Sequence, residues 1–416
     1  MFRFTLLAVV FLVQYVLFRR VWNWLKTTRP ASRLLRGTTI GLFAFFNLLF
    51  LVIVLLRPHV VELPQWLEYA GMYPFYIWYG ATFFLGVALL VAALVKLPFK
   101  AVMWISTRFS RVRARLRLVK RQPAYQEFDV SRRVFLRRGM YTLTAASFAG
   151  TAYGALVERV RPESTTAEFP IASLPPALDG FTIALASDVH SSIFMTKREM
   201  DEYVVLINSM KADLVVVTGD FVNSLTDEVY PFAESFSALK APHGVYGVMG
   251  NHDFFASDPE LVAREVNDCG VRLLRNDRIT IARGDAQFDL LGVDDTGHAE
   301  RAAQLIQTAR GTSGRQVPQI LLCHRPYFLP QAAAQNIDLM LSGHTHGGQI
   351  VLATIGRTIV TPAALASTYV WGKYRSGNTS MYVSRGIGTV GLPVRINCPP
   401  EITKIVLRSG STDKRS

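Results

Sequence analysis

The sequence predicts a two-part protein: an α-helical transmembrane region over residues 1–157, then an α/β domain over 158–408 and a disordered tail over 409–416. Three observations predict this. Charge is distributed unevenly along the chain, long charge-free apolar runs are confined to the first part, and short apolar strands alternate with amphipathic helices in the second.

Half of the 416 residues are hydrophobic and 18% are charged, which excludes an extended disordered or collagen-like chain. The 45 Lys and Arg against 31 Asp and Glu give a net charge of +14. A basic balance points to nucleic acid or to an anionic membrane surface, and its location separates the two. Residues 1–157 carry 21 Lys and Arg against four acids (Glu62, Glu68, Glu127 and Asp129), whereas residues 158–416 carry 24 against 27. The positive excess lies wholly beside the apolar runs. Membrane lipids are therefore the expected partners there, and no nucleic acid is expected.

About four membrane helices are expected, over 4–25, 38–56, 75–95 and 139–157. The second and third are free of charge and 19 and 21 residues long, near the roughly 20 residues that span a hydrocarbon core. The first is interrupted by Gln14, and the fourth is a weaker run rich in Ala, Gly and Thr. Residues 19–37 carry six Lys and Arg and residues 96–138 carry thirteen, while 57–74 carry Arg57 alone. The positive-inside rule places the first two segments in the cytoplasm and 57–74 outside. With four spans the 158–408 domain faces outward. Trp66, Tyr69, Tyr73, Tyr76 and Trp78 suit an outer aromatic belt.

Within the basic segment 96–138, Ile105, Phe109, Val112, Leu116 and Val119 recur at alternating steps of four and three between arginines. That pattern fits an amphipathic helix on an anionic leaflet. Residues 131–137, Ser-Arg-Arg-Val-Phe-Leu-Arg, resemble a twin-arginine export signal. A positive-inside flank for the last anchor reads the same residues equally well, and both readings stay open. The expected location is a bacterial inner membrane, multi-pass, with the second part on the periplasmic side.

In the second part, strands are expected over 181–187, 213–218, 244–249, 288–293, 317–323 and 337–342, and later near 350–353, 358–361, 381–384 and 402–408. Helices are expected over 196–210, 227–239, 258–268, 298–308 and 327–335. The strand ends are the informative feature. Asp188 and His190 stand after the first strand, Asp220 after the second, and Asn251, His252 and Asp253 after the third. His324 stands after a later strand, and His344 and His346 after the next. Five of the eight histidines thus stand at strand ends, where α/β sheets gather ligands. Imidazole mixed with carboxylate suits divalent transition metals (Mn, Zn, Fe, Co or Ni) rather than Ca or Mg alone.

Asp-x-His, Gly-Asp, Gly-Asn-His-Asp, a lone His and Gly-His-x-His, in this order over roughly 180–350, resemble the calcineurin-like metallophosphoesterases. Gly347-Gly348-Gln349 and the stretch 384–402 further resemble a membrane-associated subgroup with twin-arginine-type leaders, which includes phosphodiesterases and lipid-A-precursor pyrophosphatases. The resemblance implies a four-layer αββα sandwich holding two metals. Asp188, His190 and His346 would hold one, Asp220 would bridge, and Asn251, His324 and His344 would complete the other. Two cations roughly 3.5–4 Å apart bind a phosphate oxygen and acidify a water for in-line attack on phosphorus. His252 would stabilise the transition state or protonate the leaving oxygen.

One position departs from the family. Its usual Gly-Asp-x-x-Asp reads Gly219-Asp220-Phe221-Val222-Asn223 here, so the group that orients the catalytic His lacks charge. His252 would then be a weaker acid, or Asp253 would take part. Cys269, Cys323 and Cys398 have no paired metal spacing; Cys323 should be buried on the far face of its strand, and one disulfide stays open.

Two functions fit these residues. One is membrane-anchored, metal-dependent hydrolysis of a phosphodiester, phosphomonoester or pyrophosphate bond, with lipid-linked phosphate esters among the substrates. An outward domain argues against a nucleotide-activated lipid-A precursor, which would be met on the cytoplasmic side. The other is a non-catalytic, metal-stabilised sensor or scaffold for phosphate ligands, favoured only by Asn223.

Overall fold

The computed structural model describes residues 2–56, 64, 66, 68–311, 317–356, 358–365 and 367–410. Residues 57–63 of the expected outward loop and 411–416 of the expected tail lie outside the described residues. The chain divides into a helical unit ending at Tyr153 and a second unit beginning at Gly154.

The first unit is built from α1 (Phe2–Thr28), α2 (Arg33–Leu56), α3 (Tyr73–Ser106), α4 (Ser110–Arg121) and most of α5 (Pro123–Leu156). Among the described residues two stretches, Arg33–Val54 and Ala70–Ser106, are long and apolar enough to cross a membrane. They expose large apolar side chains, among them Phe45, Leu48, Phe83, Leu90 and Phe99, as expected of helices that are apolar all round. Gln14 is buried and satisfied: its Nε2 donates to Thr82 Oγ1 at 2.8 Å, and its Oε1 accepts from Trp78 Nε1 at 3.2 Å. Trp78 also stacks on Phe46, and Tyr73 is buried. These two aromatics therefore pack the bundle rather than ring its rim. The side chain of Tyr69 lies outside the described residues.

The expected amphipathic segment is divided. Ile105 lies in the last turn of α3, the chain turns at Thr107–Phe109, and α4 carries no buried residue. Residues 131–137 lie in mid-helix in α5, where Arg132 and Arg133 both bridge Asp129 at 2.6 Å.

The second unit holds two six-stranded sheets among the described residues. The first contains β1 (Glu163–Ile171), β2 (Thr182–Ala186), β3 (Leu214–Val217), β4 (Val245–Gly247), β5 (Arg272–Leu273) and β14 (Glu401–Ser409), in the order β1-β14-β2-β3-β4-β5. The second contains β6 (Asp277–Arg283), β7 (Ala286–Gly292), β8 (Gln319–Leu322), β9 (Leu339–Ser342), β12 (Gly372–Ser376) and β13 (Thr379–Val383), in the order β12-β13-β9-β8-β7-β6. Between β9 and β12 a separate hairpin pairs β10 (Ala353–Ile355) with β11 (Thr358–Val360).

The layering comes from the two-residue period of the strands. Ile183 and Leu185 of β2 and Leu214 and Val216 of β3 join Leu290, Ile320, Leu322, Leu339 and Leu341 in one cluster between the sheets. The alternate residues Ala184, Ala186, Val215 and Val217 turn outward to α6 (Lys197–Ser209), α7 (Val229–Phe236) and α8 (Pro259–Asp268). Leu291, Leu321 and Met340 face α9 (Ala299–Arg310) and α10 (Leu329–Ala334) on the other side. Strands buried on both faces read as unbroken apolar runs, as Leu-Val-Val-Val of β3 does. The result is the αββα sandwich.

Helix starts are set by side chains. Thr196 and Glu199 form a reciprocal capping box at α6, and Asp258 accepts from Leu261 N at α8. The three cysteines are free, with Cys323 buried in the outer cluster of the second sheet.

Candidate metal centre

The residues read from sequence as ligands stand after β2, β3, β4, β8 and β9. These strands belong to both sheets rather than to one open sheet, so the carboxyl ends of two facing layers supply the site. The backbone there is unusual. Asp188 (φ 53°), His190 (φ 49°), Asp220 (φ 56°), His344 (φ 73°) and His346 (φ 51°) all adopt the left-handed region. Each such non-glycine residue costs of order 1 kcal/mol and persists where the surroundings over-determine it. Such strain clusters at functional sites.

Two glycines allow the loops to meet. A Cβ at Gly343 would overlap Ser187 Oγ and Asp188 Oδ2, and Gly219, at φ +89°, lies against the backbone of Gly250. The Asp188 carboxylate accepts from His344 N at 2.9 Å, and His190 N donates to Asp220 O at 2.9 Å, tying the ligand loops together.

Among the described residues three overlapping groups of ligand atoms result: Asp188, His190 and His346 form the first, Asp220, His324 and His344 the second, and His190, Asp220 and His252 a third that shares a member with each. His190 Nε2 stands 3.0 Å from His346 Nε2, and His346 Nε2 3.6 Å from Asp188 Oδ1. His324 Nε2 stands 3.2 Å from His344 Nδ1. Asp220 Oδ2 lies 3.4 Å from His190 Nε2 and 3.2 Å from His324 Nε2, between the groups. Asn251 Oδ1 is buried without a hydrogen-bond partner among the described residues. An acceptor in that condition costs about 1–3 kcal/mol, and a cation is one partner that would satisfy it. The donor set, with two imidazole nitrogens pointed at one another, fits divalent transition metals.

The remote ring nitrogens fix the ligand tautomers of the second group. His324 Nδ1 meets Thr218 O at 2.7 Å, and His344 Nε2 meets the Tyr327 hydroxyl at 3.3 Å. Arg325 in turn bonds Tyr327 and pairs with Asp295 at 2.6 Å.

Burial, outweighing the nearby carboxylates, pushes His190 and His346 down to about 3. Burial, aided by the charges of His324 and Arg325, takes His344 to about 2. All three imidazoles are neutral lone-pair donors. His324 runs the other way: burial opposes its charge, yet Asp220 raises it to about 10. Burial also opposes ionisation of Asp220, but His324, His190 and His252 hold its carboxyl well below the usual range.

His252 stands beside these groups, its ring centroid 4.6 Å from that of His190, and its main-chain N donates to Asp220 Oδ1 at 2.8 Å. Two sequence expectations about its support need correction. The Asn223 side chain does not hold the imidazole; its amide approaches Ser224 Oγ at 3.4 Å, while the Asn223 backbone carbonyl accepts from His252 Nδ1. Nor does Asp253 face the reaction. It is fully buried and accepts from the main-chain N of Asp220, Phe221, Val222 and Gly250 at 2.8–3.1 Å, bracing the loop that carries Asp220.

Sequence reasoning missed three further residues: Tyr327, Glu228 and Arg395. Arg395 is fully buried and donates to the carbonyls of Arg385, Gly386, Gly388 and Cys398 at 2.6–3.1 Å, with no carboxylate partner among the described residues.

Comparison with known proteins bears on this geometry. A family model described as calcineurin-like phosphoesterase matches residues 181–348. The chain is 31% identical over 291 residues to the uncharacterized metallophosphoesterase YkuE of Bacillus subtilis, covering 67% of this chain and 98% of the relative. It is 32% identical over 270 residues to a transmembrane protein with metallophosphoesterase domain from Danio rerio, covering 62% of this chain and 60% of that protein. The chain thus spans less than two thirds of the zebrafish relative. Phosphodiesterase YaeI of Escherichia coli is 27% identical over 230 residues, covering 55% of this chain and 82% of the relative.

Proposed function

Because the chain belongs to the calcineurin-like metallophosphoesterase family, we propose that it is a membrane-anchored hydrolase with two divalent metals that cleaves a phosphoester or phosphoanhydride bond. The observation that carries this reading is the position of Asp220 Oδ2 between two groups of imidazole nitrogens, 3.4 Å from His190 Nε2 and 3.2 Å from His324 Nε2. Asp188, His190 and His346 would hold one cation, Asn251, His324 and His344 the other, and Asp220 both. When bound, the cations supply the positive charge that activates water and neutralises the phosphate.

The chain's own groups do the rest. Asp220 would hold two positive centres close together, and Asn251 would add an oxygen without adding negative charge. Neutral His190, His344 and His346 leave the pair electrophilic. His252, with Nδ1 engaged by a carbonyl, turns Nε2 toward the site as the proton donor to the leaving oxygen. The Asn223 side chain, the one feature favouring a non-catalytic sensor, takes no part in holding that imidazole.

The apolar helices and the transmembrane-named relative support an anchor; beyond that, we propose four spans, the phosphoesterase domain outward, and a lipid-linked phosphate as substrate. The name of the Escherichia coli relative favours a diester. The twin-arginine-like residues 131–137 serve either as export signal or as a positive flank; a reporter fused after Ser416 that is active only in the periplasm supports the outward orientation, and one active only in the cytoplasm reverses it.

The chemistry is tested with purified full-length protein in detergent. Two metal equivalents and hydrolysis of bis(p-nitrophenyl) phosphate are expected, with kcat falling about 10²–10⁴-fold in His252→Ala. Full activity of that variant would sink the assigned role, and phosphate binding without turnover in the parent protein would favour a sensor.

A further inference from the structure

We propose that Glu228 is the positioning residue for His252, acting through the peptide group between Asn223 and Ser224 and supplying the negative charge that residue 223 lacks. The inference rests on the proposed role of His252 as proton donor.

Three observations carry it. First, His252 Nδ1 is engaged by the backbone carbonyl of Asn223. A carbonyl fixes the imidazole tautomer as well as a carboxylate does, but only as firmly as its own turn is held. Second, Glu228 is buried, at 5% exposure, and its Oε2 accepts from the N–H of Asn223, Ser224 and Leu225 at 2.9, 2.7 and 2.9 Å. Three successive amides gathered on one carboxylate oxygen lock the turn as an anion-binding nest. Third, the shortest of these bonds comes from Ser224 N, which shares a planar trans peptide with the Asn223 carbonyl. In such a unit N–H and C=O point in opposite directions. One peptide group therefore receives the carboxylate on one side and the imidazole on the other.

Hydrogen bonds in series polarise one another in a low-dielectric interior. The charge of Glu228 makes the Asn223 carbonyl a stronger acceptor, which holds the imidazole more firmly in one orientation. In the family's Gly-Asp-x-x-Asp pattern a side-chain carboxylate orients the histidine directly; here the charge is displaced to residue 228 and reaches the ring through the main chain. Thr226 secures the far side of the turn, with Oγ1 2.9 Å from Ser257 Oγ and accepting from Asp258 N at 3.1 Å.

A double-mutant cycle on full-length, metal-loaded protein tests this, using aryl phosphodiesters of graded leaving-group basicity. Glu228→Gln keeps the shape and one acceptor oxygen but removes the charge. It should lower kcat about 10-fold or more on the poorest leaving group, with little change on the best, since a proton donor matters most there. KM and metal content should hold. In the His252→Ala background the same substitution should cost less than about 2-fold, because the residues act as a unit. Glu228→Asp, which restores charge at a shorter reach, should fall between, and it serves in both backgrounds if Glu228→Gln does not fold. Equal losses with and without His252, or a loss independent of leaving group, would overturn the proposal while leaving the hydrolase reading intact. Full activity of His252→Ala would instead remove the proposal together with the proton-donor role of His252, while hydrolysis itself would stand.

Discussion

Two buried polar clusters, one in each unit, are treated in opposite ways. In the helical unit Gln14 sits in an apolar bundle with both ends of its amide bonded, to Thr82 and to Trp78. At the strand ends of the second unit, Asn251 Oδ1 is buried unpaired, His190 and His346 face each other nitrogen to nitrogen, and five ligand residues hold left-handed backbone. A satisfied polar cluster fixes which helices meet. An unsatisfied one, held against strain by its surroundings, marks a place whose partner comes from outside the chain. The contrast can be broken or sharpened by removing groups from each.

The largest effect is expected at Asp220. Asp220→Asn would remove the charge between the two ligand groups and direct an N–H₂ at His190 or His324. Activity should fall by roughly 10³-fold or more, the several kcal/mol carried by metal charge stabilisation, and one metal equivalent should be lost. Metal analysis alongside kinetics checks this, and retention of two equivalents would remove Asp220 as the bridge.

Stripping the metals should come next and should change how stability depends on pH. In the metal-free chain burial holds His190 and His346 at about 3 against an ordinary 6.5. The unfolded chain then binds more protons than the folded one between these values, so their contribution is complete above 6.5 and is lost as pH falls toward 3. His324, raised by Asp220 to about 10, contributes fully below 6.5 and loses that contribution as pH rises toward 10. The melting temperature of chelator-treated protein should therefore peak near 6.5 and decline on both sides. Metal-loaded protein should melt higher and show a flatter profile, since ligation fixes the protonation of all three rings. Identical profiles would break the assignment of these imidazoles as ligands.

The same contrast governs how legible each part was in the sequence. The candidate ligands were legible because metal chemistry dictates residue type and β-strand ends dictate position, so Asp188 through His346 could be read singly as a metal-binding pattern. The strands around them were legible as unbroken apolar runs. β1 was not: its Ser-Thr-Thr-Ala-Glu stretch is half exposed, and its ladder is set by β14, more than 200 residues away. β6 and β12 carried a signal that was overlooked, since two-residue turns at Gly284-Asp285 and Gly377-Asn378 close hairpins onto β7 and β13. Glu228 could not be read at all. It acts on backbone amides, which every sequence has, and no residue type at a fixed spacing marks a carboxylate that works through a peptide group.

The smallest effect is expected from Gln14→Leu. In sequence Gln14 reads as a flaw in an apolar run; in the bundle it joins α1 to α3. Its loss leaves the Thr82 hydroxyl still donating to the carbonyls of Trp78 and Tyr79 at 2.8 and 3.2 Å, so the indole N–H of Trp78 loses its partner and Thr82 Oγ1 loses the one N–H it accepted from Gln14. Interhelical hydrogen bonds in membrane proteins contribute about 0.6–2 kcal/mol, and the added leucine recovers part of this by packing. A loss of about 1 kcal/mol or less is therefore expected for the helical unit in a detergent-unfolding titration, with phosphodiester hydrolysis unchanged. A loss of activity comparable to that of Asp220→Asn would mean that Gln14 has a functional role, and that a satisfied polar cluster does not by itself identify a purely architectural one.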